Sequence, residues 1–298
     1  MTTSHFLADG AEIVLVGTGA TWSEGPLWIA DRGVVRWSDI PGNRILEVDP
    51  TTNVVSVHRD DVEFSNGRTL DLEGRVVQCS HGRRAVERET ADGVEVLIDS
   101  FEGRRLNSPN DVVVASDGAI WFTDPPYGIL QAHEGHLGDP EYGGCHVFRL
   151  DADGTLTPAI TDFDEPNGLA FSPDESELYV SDTSAALRNG AGNHHIVAFR
   201  PAGDGTWRRD RIVYEVPDGH PDGLRVDVEG RIWTSGGAGV RVLTPVGAVL
   251  AHIPVPETVG NLCFGGPDGR TLFIAATTSI YRIETMTTDA AAASRKGR

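Results

Sequence analysis

Two carboxylates and four carboxamides occupy one recurring position in this chain: Glu24, Asn66, Asn110, Asn167, Asp222 and Asn261. Eight residues after each comes a turn position, at Arg32, Gly74, Gly118, Glu175, Gly230 and Gly269. All six side chains offer oxygen donors, and none is a histidine or a cysteine. An all-oxygen set carrying two negative charges suits a hard divalent cation. Two buried carboxylates without such an ion would repel each other, and one would tend to take up a proton. Each residue alone also reads as a strand-end cap bonded to loop backbone, as Asn and Asp often are. Glu24, Asn167 and Asp222 together favour metal binding, whereas Asn66 and Asn261 are the weakest members of the set.

What would bring these residues together is the repeat that carries them. Each polar residue precedes a mostly apolar run such as Val112–Ala115, then an acidic turn step such as Asp117-Gly118, then a second β-rich run such as Trp121-Phe122-Thr123. The six steps, from Asp31-Arg32 to Asp268-Gly269, read as two-residue hairpin turns. Successive turn positions lie 42, 44, 57, 55 and 39 residues apart, close to the about 40–50 residues of a four-stranded propeller blade. Helical periodicity is scarce. The pattern predicts an all-β, six-bladed β-propeller, with a β-sandwich as the alternative. Residues 1–288 are expected to form one domain. The strand-like segment Glu12–Gly17 should complete the last blade and close the ring.

In that architecture the first residue of every inner strand faces one mouth of the central channel. The second strand runs back to the same mouth and ends at Asp39, His81, Asp124, Asp182, Gly236 or Thr277, a second polar ring outside the first. Loops 125–144 and 183–195 leave strands that end there and could cover the mouth. Residues 130–141 of the first loop, with His133 and His136, read as solvated.

A formal charge of −19 and a pI near 4.8 argue against nucleic acid and anionic membranes as partners. No apolar run reaches the length of a membrane span, and Met1–Gly10 lacks the features of a signal peptide. Three widely spaced cysteines, Cys79, Cys145 and Cys263, fit reduced thiols in a cytoplasmic protein. The Ala-rich, then basic, stretch Asp289–Arg298 reads as a disordered tail.

Four motifs in order, Ser23-Glu24-Gly25-Pro26, Asn107-Ser108-Pro109-Asn110-Asp111, Pro166-Asn167-Gly168-Leu169 and Pro221-Asp222-Gly223, resemble the senescence-marker-protein/gluconolactonase/luciferin-regenerating family. The resemblance runs from about Glu12 to Ile283. The stretch Asn107–Gly128 is most similar to the microbial gluconolactonase branch. It implies a six-bladed propeller with one catalytic divalent cation, calcium first, with magnesium, manganese, zinc or iron also compatible. It places metal ligands at Glu24, Asn167 and Asp222, and a further ligand or substrate contact at Asn110. The implied substrate is a small sugar lactone. Asp124 is the candidate acidic substrate contact. An arginine of animal relatives is replaced here by Ser108, and Arg104 or Arg105 is the nearest substitute.

The chemistry expected from these parts is hydrolysis of a sugar lactone, with the metal as Lewis acid and water as nucleophile. Asp222 is the first candidate for the general base, Asp124 the second, and His81 the third and a possible substrate contact. No Gly-x-Ser-x-Gly elbow supports a serine nucleophile. Phosphotriester hydrolysis on the same metal, or a non-catalytic binding propeller with a structural ion, are the competing expectations. The oligomeric state is left open.

Overall fold

The computed structural model describes residues 6–292. Six four-stranded antiparallel sheets, each a meander, are arranged as the blades of a propeller. Blade 1 runs through Ser23–Ile29, Val34–Asp39, Arg44–Asp49 and Val54–Asp60, and blade 2 through Ser65–Leu70, Val76–Ser80, Ala85–Thr90 and Gly93–Ile98. The inner strands of blades 3 to 6 are Val112–Val114, Pro166–Phe171, Leu224–Val226 and Val259–Gly265. The last blade has three strands from the end of the chain. Its outermost strand is Val14–Thr18, which pairs with Ser279–Glu284, Val14 opposite Arg282 and Thr18 opposite Ser279. The ring closure expected from Glu12–Gly17 is therefore present.

The hairpins differ in detail from two-residue turns. Asp71 N–H donates to Arg75 O at 2.9 Å and Gly74 N–H to Asp71 O at 3.0 Å, which leaves a three-residue loop with Gly74 at φ +79°. This is a type I turn followed by a left-handed residue, a geometry that favours glycine. The Asp71 carboxylate holds it by accepting the Glu73 and Arg75 amides; Asp227 does the same for Glu229 and Arg231. In blade 1 the left-handed residue is Gly33, not Arg32, so that turn is one residue longer than the repeat suggested. Blade 4 places Glu175 there at φ +55°, at a cost of roughly 1–2 kcal/mol for a residue with a Cβ. Its carboxylate accepts Ser116 N–H at 2.7 Å and Ser116 Oγ–H at 2.8 Å from blade 3, so the strained turn ties two blades together.

Apolar side chains pack between neighbouring blades. Trp233 and Phe264 join blades 5 and 6, and Phe122 and Phe148 pack with Val77 and Val86 between blades 2 and 3. Between blades 1 and 2, among the described residues, the buried apolar cluster is Leu27, Ile29 and Val76. There the buried Arg36 guanidinium bridges Glu47 at 2.7 Å and Glu89 at 2.6 Å. Cys79 and Cys263 are buried and all three cysteines are free thiols. The C-terminal stretch expected to be disordered is placed through residue 292: Asp289 bridges Asp227, and Ala290 packs against blades 4 and 5. Residues 293–298 lie outside the described residues. Among the described residues no helix is long and apolar enough to cross a membrane.

Candidate active site

The inner strands carry β-bulges at or beside the predicted polar residues. Pairing slips between Glu24 and Leu27, Ser65 and Arg68, Pro166 and Leu169, and Val259 and Asn261. In blades 3 and 5 regular pairing starts only after Asn110 and Asp222. A bulge turns a side chain out of the alternating in–out pattern, and here it frees the polar residues to face the axis. The following glycine lets the strands converge. A Cβ on Gly25 would run into Asn66 O, one on Gly168 into Asp222 O, and one on Gly223 into the Asn261 side chain.

The polar residues' carbonyls are clamped from the preceding blade. Ser38 Oγ donates to Asn66 O at 2.9 Å, Thr123 Oγ1 to Asn167 O at 2.7 Å, and Ser181 Oγ to Asp222 O at 2.7 Å. These hydroxyls were not anticipated from the sequence. Their signal was a Ser or Thr directly before Asp39, Asp124 and Asp182.

Glu24, Asn110, Asn167 and Asp222 line one cavity of about 220 Å³, and Asn66 lies on its wall. Asn261 does not reach it. Instead Asn261 Nδ2 donates to Glu24 Oε2 at 3.1 Å, beside the Gly25 amide at 2.9 Å. Glu24 Oε1 is buried without any partner. Burial raises the Glu24 carboxyl to about 7, opposed by these two hydrogen bonds. Asp222 is pushed well above the carboxylate range, by burial first and then by the negative charge of Glu24. A larger cavity of about 630 Å³ opens at the turn end of the channel. Its lining is largely apolar and includes residues 288–292, and its acids Asp71, Glu175 and Asp289 each accept a backbone amide, so the smaller cavity is the chemical one.

The second ring anchors loops rather than facing the cavity. Asp39 accepts the Thr21 and Trp22 amides and pairs with Arg44 Nε at 2.9 Å. Asp182 accepts Ser184 N–H at 3.0 Å and Asn193 Nδ2–H at 3.1 Å. Asp124, expected as a catalytic or substrate-binding acid, is fully buried and absent from the cavity wall. Its Oδ2 accepts the Asn107 amide at 2.8 Å and the Tyr142 hydroxyl, pinning loop 125–144. Burial raises its carboxyl to about 7.

His81 is also fully buried and off the cavity wall. Its Nε2 meets Asn66 Nδ2 at 3.1 Å and its Nδ1 meets Glu134 O at 3.1 Å. Since the amide must donate and the carbonyl must accept, the ring is neutral with its proton on Nδ1. Burial lowers its pKa to about 4. His81 thus positions Asn66 and the loop, and neither ring nitrogen is free to act as a base or to meet substrate. His81→Gln should leave the shape of any pH–rate profile between pH 5 and 8 unchanged; a lost titration step in that profile, measured under saturating substrate, would contradict this. Arg105 is exposed outside the mouth, its amide donating to Glu141 Oε2 at 2.8 Å and its guanidinium to Arg83 O. It does not substitute for the arginine that Ser108 replaces.

Both long loops do lie over the cavity. The short helix Tyr127–Leu130 and the residues after it contribute Tyr127, Gln131 and Glu134, and the segment around Ser184–Leu187 contributes Thr183, Ala186 and Leu187. The reading of residues 130–141 as solvated fails at Glu134, whose side chain is 22% exposed and whose carboxyl is raised by burial. His133 and His136 are exposed and lie against Glu134 and Glu63.

The donor set fits a hard dication: the Glu24 and Asp222 carboxylates and the Asn66, Asn110 and Asn167 amides on one wall, one buried carboxylate oxygen lacking a partner, and two acids whose charged forms are penalised. Among the described residues no group of three or more His, Cys, Asp or Glu forms a metal cluster, so any ion here would depend on the asparagines.

Six blades around an axial, oxygen-lined cavity under two loops define a β-propeller built about a small-molecule site. The chain belongs to the SMP-30/gluconolactonase/LRE-like family, whose sequence profile matches residues 22–278. It is 32% identical to a gluconolactonase of Zymomonas mobilis over 92% of this chain and 82% of that protein. It is 30% identical to the pentonolactonase XacC of Haloferax volcanii over 87% and 83%. A gluconolactonase structure from Xanthomonas campestris superposes with a TM-score of 0.86 at 42% identity, covering 95% of this chain and 92% of that one. Regucalcin from Agrobacterium tumefaciens, at 19% identity and a TM-score of 0.70 over 92% and 93%, shares the fold.

Proposed function

We propose that this propeller hydrolyses sugar lactones to their open hydroxy acids, with a divalent cation held by Glu24, Asn167 and Asp222 and completed by Asn110. The observation that carries the reading is the convergence of the Glu24 and Asp222 carboxylates on one small cavity, with a buried Glu24 oxygen that nothing in the protein satisfies. The gluconolactonase and pentonolactonase relatives support the substrate class. A bound dication would supply Lewis acidity toward the lactone carbonyl.

The chain's own residues do the rest. Asp222 is the one candidate base that remains on the cavity wall, and its partial exposure leaves it able to take a proton from water. Asn167, on the same wall, lowers the Asp222 pKa against the effect of burial. Asn66, held by His81, and Asn110 present amides to the substrate from neighbouring blades. The side chains of Trp22, Ile40 and Leu187 on the same wall limit bulk water.

The test is proton release from glucono-1,5-lactone and a pentonolactone, with metal content measured alongside. Hydrolysis should fall at least about a hundredfold in excess chelator and return on adding Ca²⁺, Mg²⁺ or Mn²⁺. Full turnover in chelator by protein free of metal would overturn the metal role, and no turnover of any lactone would overturn the activity.

A further inference from the structure

Among the described residues, the cavity wall carries no lysine, arginine or histidine. Ser108 is committed to the loop: its Oγ donates to Pro125 O at 2.6 Å and accepts Gly128 N–H at 2.9 Å. The nearby Arg84 is turned to the Leu106 and Asp139 carbonyls. A dication would balance Glu24 and Asp222, which leaves Glu134 as the uncompensated charge facing the substrate. Its nearest basic group, His133 Nε2, is exposed and 3.7 Å away. Two further hydrogen-bonding side chains, Tyr127 and Gln131, share the cavity wall with Glu134. Tyr127 is 6% exposed as a residue, with its hydroxyl buried and without a well-formed partner, and Gln131 Nε2 reaches Glu134 Oε1 at 3.5 Å.

We infer that Glu134 determines specificity at this site: its carboxylate accepts hydrogen bonds from the hydroxyls of an uncharged polyhydroxy lactone and repels lactones bearing a phosphate, sulfonate or carboxylate. The inference rests on the lactonase reading above and adds to it the charge class of the substrate. Vicinal hydroxyls are good donors to a carboxylate, and charge-assisted bonds of this kind are among the stronger ones. An anionic substituent would have to enter a site of net negative charge with no cationic side chain to meet it.

The backbone that carries the carboxylate is also held in place. His81 fixes the Glu134 carbonyl, and the next residue must be glycine, since a Cβ on Gly135 would run into Gly128 O. Gly128 in turn packs against His81 and Ser108. Glu134 therefore stands on a packed loop, as a specificity residue should.

The test compares kcat/KM for glucono-1,5-lactone with its 6-phospho and 6-deoxy-6-sulfo derivatives, at saturating dication, in the native protein and in Glu134→Gln. A second arm measures calorimetric binding of D-glucitol and its 6-phosphate. Native protein should prefer the neutral lactone by about a hundredfold. Glu134→Gln should raise its KM about tenfold with little change in kcat, and narrow the preference about tenfold. Native turnover of the charged lactones within about threefold of the neutral one, or a ratio unmoved in Glu134→Gln of native melting temperature, overturns the inference. If no lactone is hydrolysed, Glu134-dependent selection of glucitol over its phosphate sustains the charge class while the lactonase reading falls. Absence of that selection as well defeats both.

Discussion

Asp222→Asn should lower kcat/KM for glucono-1,5-lactone by about a thousandfold, the scale of losing a positioned general base, while the protein stays folded. The substitution keeps the size of the side chain and its place on the cavity wall but removes the charge and the proton-accepting oxygen. The backbone that holds residue 222 is untouched: Ser181 Oγ still donates to its carbonyl, and its amide still donates to Ser235 Oγ at 2.8 Å. The same change removes one of two carboxylates from the ion site, so metal content per protein should fall too. Measuring both separates the roles. A variant that keeps its metal but loses turnover assigns Asp222 to proton transfer; a variant that loses both assigns it to the ion as well. Retention of more than about a tenth of native kcat/KM, with the variant's folding verified by circular dichroism, would remove Asp222 from the chemistry.

The second large effect is on stability in the absence of metal. Burial raises Glu24 from 4.5 to about 7, so the metal-free fold keeps a proton that the unfolded chain gives up. The stability is therefore fully present below about pH 4.5, declines as pH rises toward 7, and is flat beyond. At about 1.4 kcal/mol for each pH unit between the two values, the loss is on the order of 3 kcal/mol. In excess chelator, native protein should melt roughly 5–10 °C lower at pH 8 than this group would allow if unperturbed. Glu24→Gln should recover most of that difference at pH 8 and none at pH 4.5, and should lose the stabilisation that added dication confers on native protein. Melting curves at the two pH values, with and without cation, decide it: equal pH dependence in both proteins would mean that Glu24 is not held as a buried acid.

The propeller and the inner ring were legible because a repeat reports position six times over. Glu24, Asn110, Asn167 and Asp222 could be placed at the same end of the same strand in different blades, and the cavity they share follows from the architecture. The second ring was legible as a set but not in its role. Asp39, Asp124 and Asp182 end their strands one residue after Ser38, Thr123 and Ser181, and alternation sends neighbouring side chains to opposite faces. The hydroxyls clamp the next blade and the acids turn to their own loops. His81 misled for a similar reason, since its spacing matched the ring while its two nitrogens were taken up by Asn66 and Glu134.

Loop residues lay beyond this reasoning. Whether Glu134 or Arg105 faces the cavity depends on how Gly128, Gly135 and Ser108 pack the first loop, and no periodicity encodes that. In blade 1, Arg32 sat at the expected spacing, yet the left-handed position passed to Gly33 because glycine bears that backbone without strain.

The pairing of Val14–Thr18 with Ser279–Glu284 also bears on how the molecule is made. During synthesis the outermost strand of the sixth sheet emerges well before the neighbour it pairs with, and stays unpaired until Ser279–Glu284 has been made. The ring can close only once both strands are present, and a contact so distant along the chain makes that step intrinsically slow. Until then the nascent polypeptide offers a bare sheet edge, the kind of surface that chaperones shield and that invites aggregation when they do not.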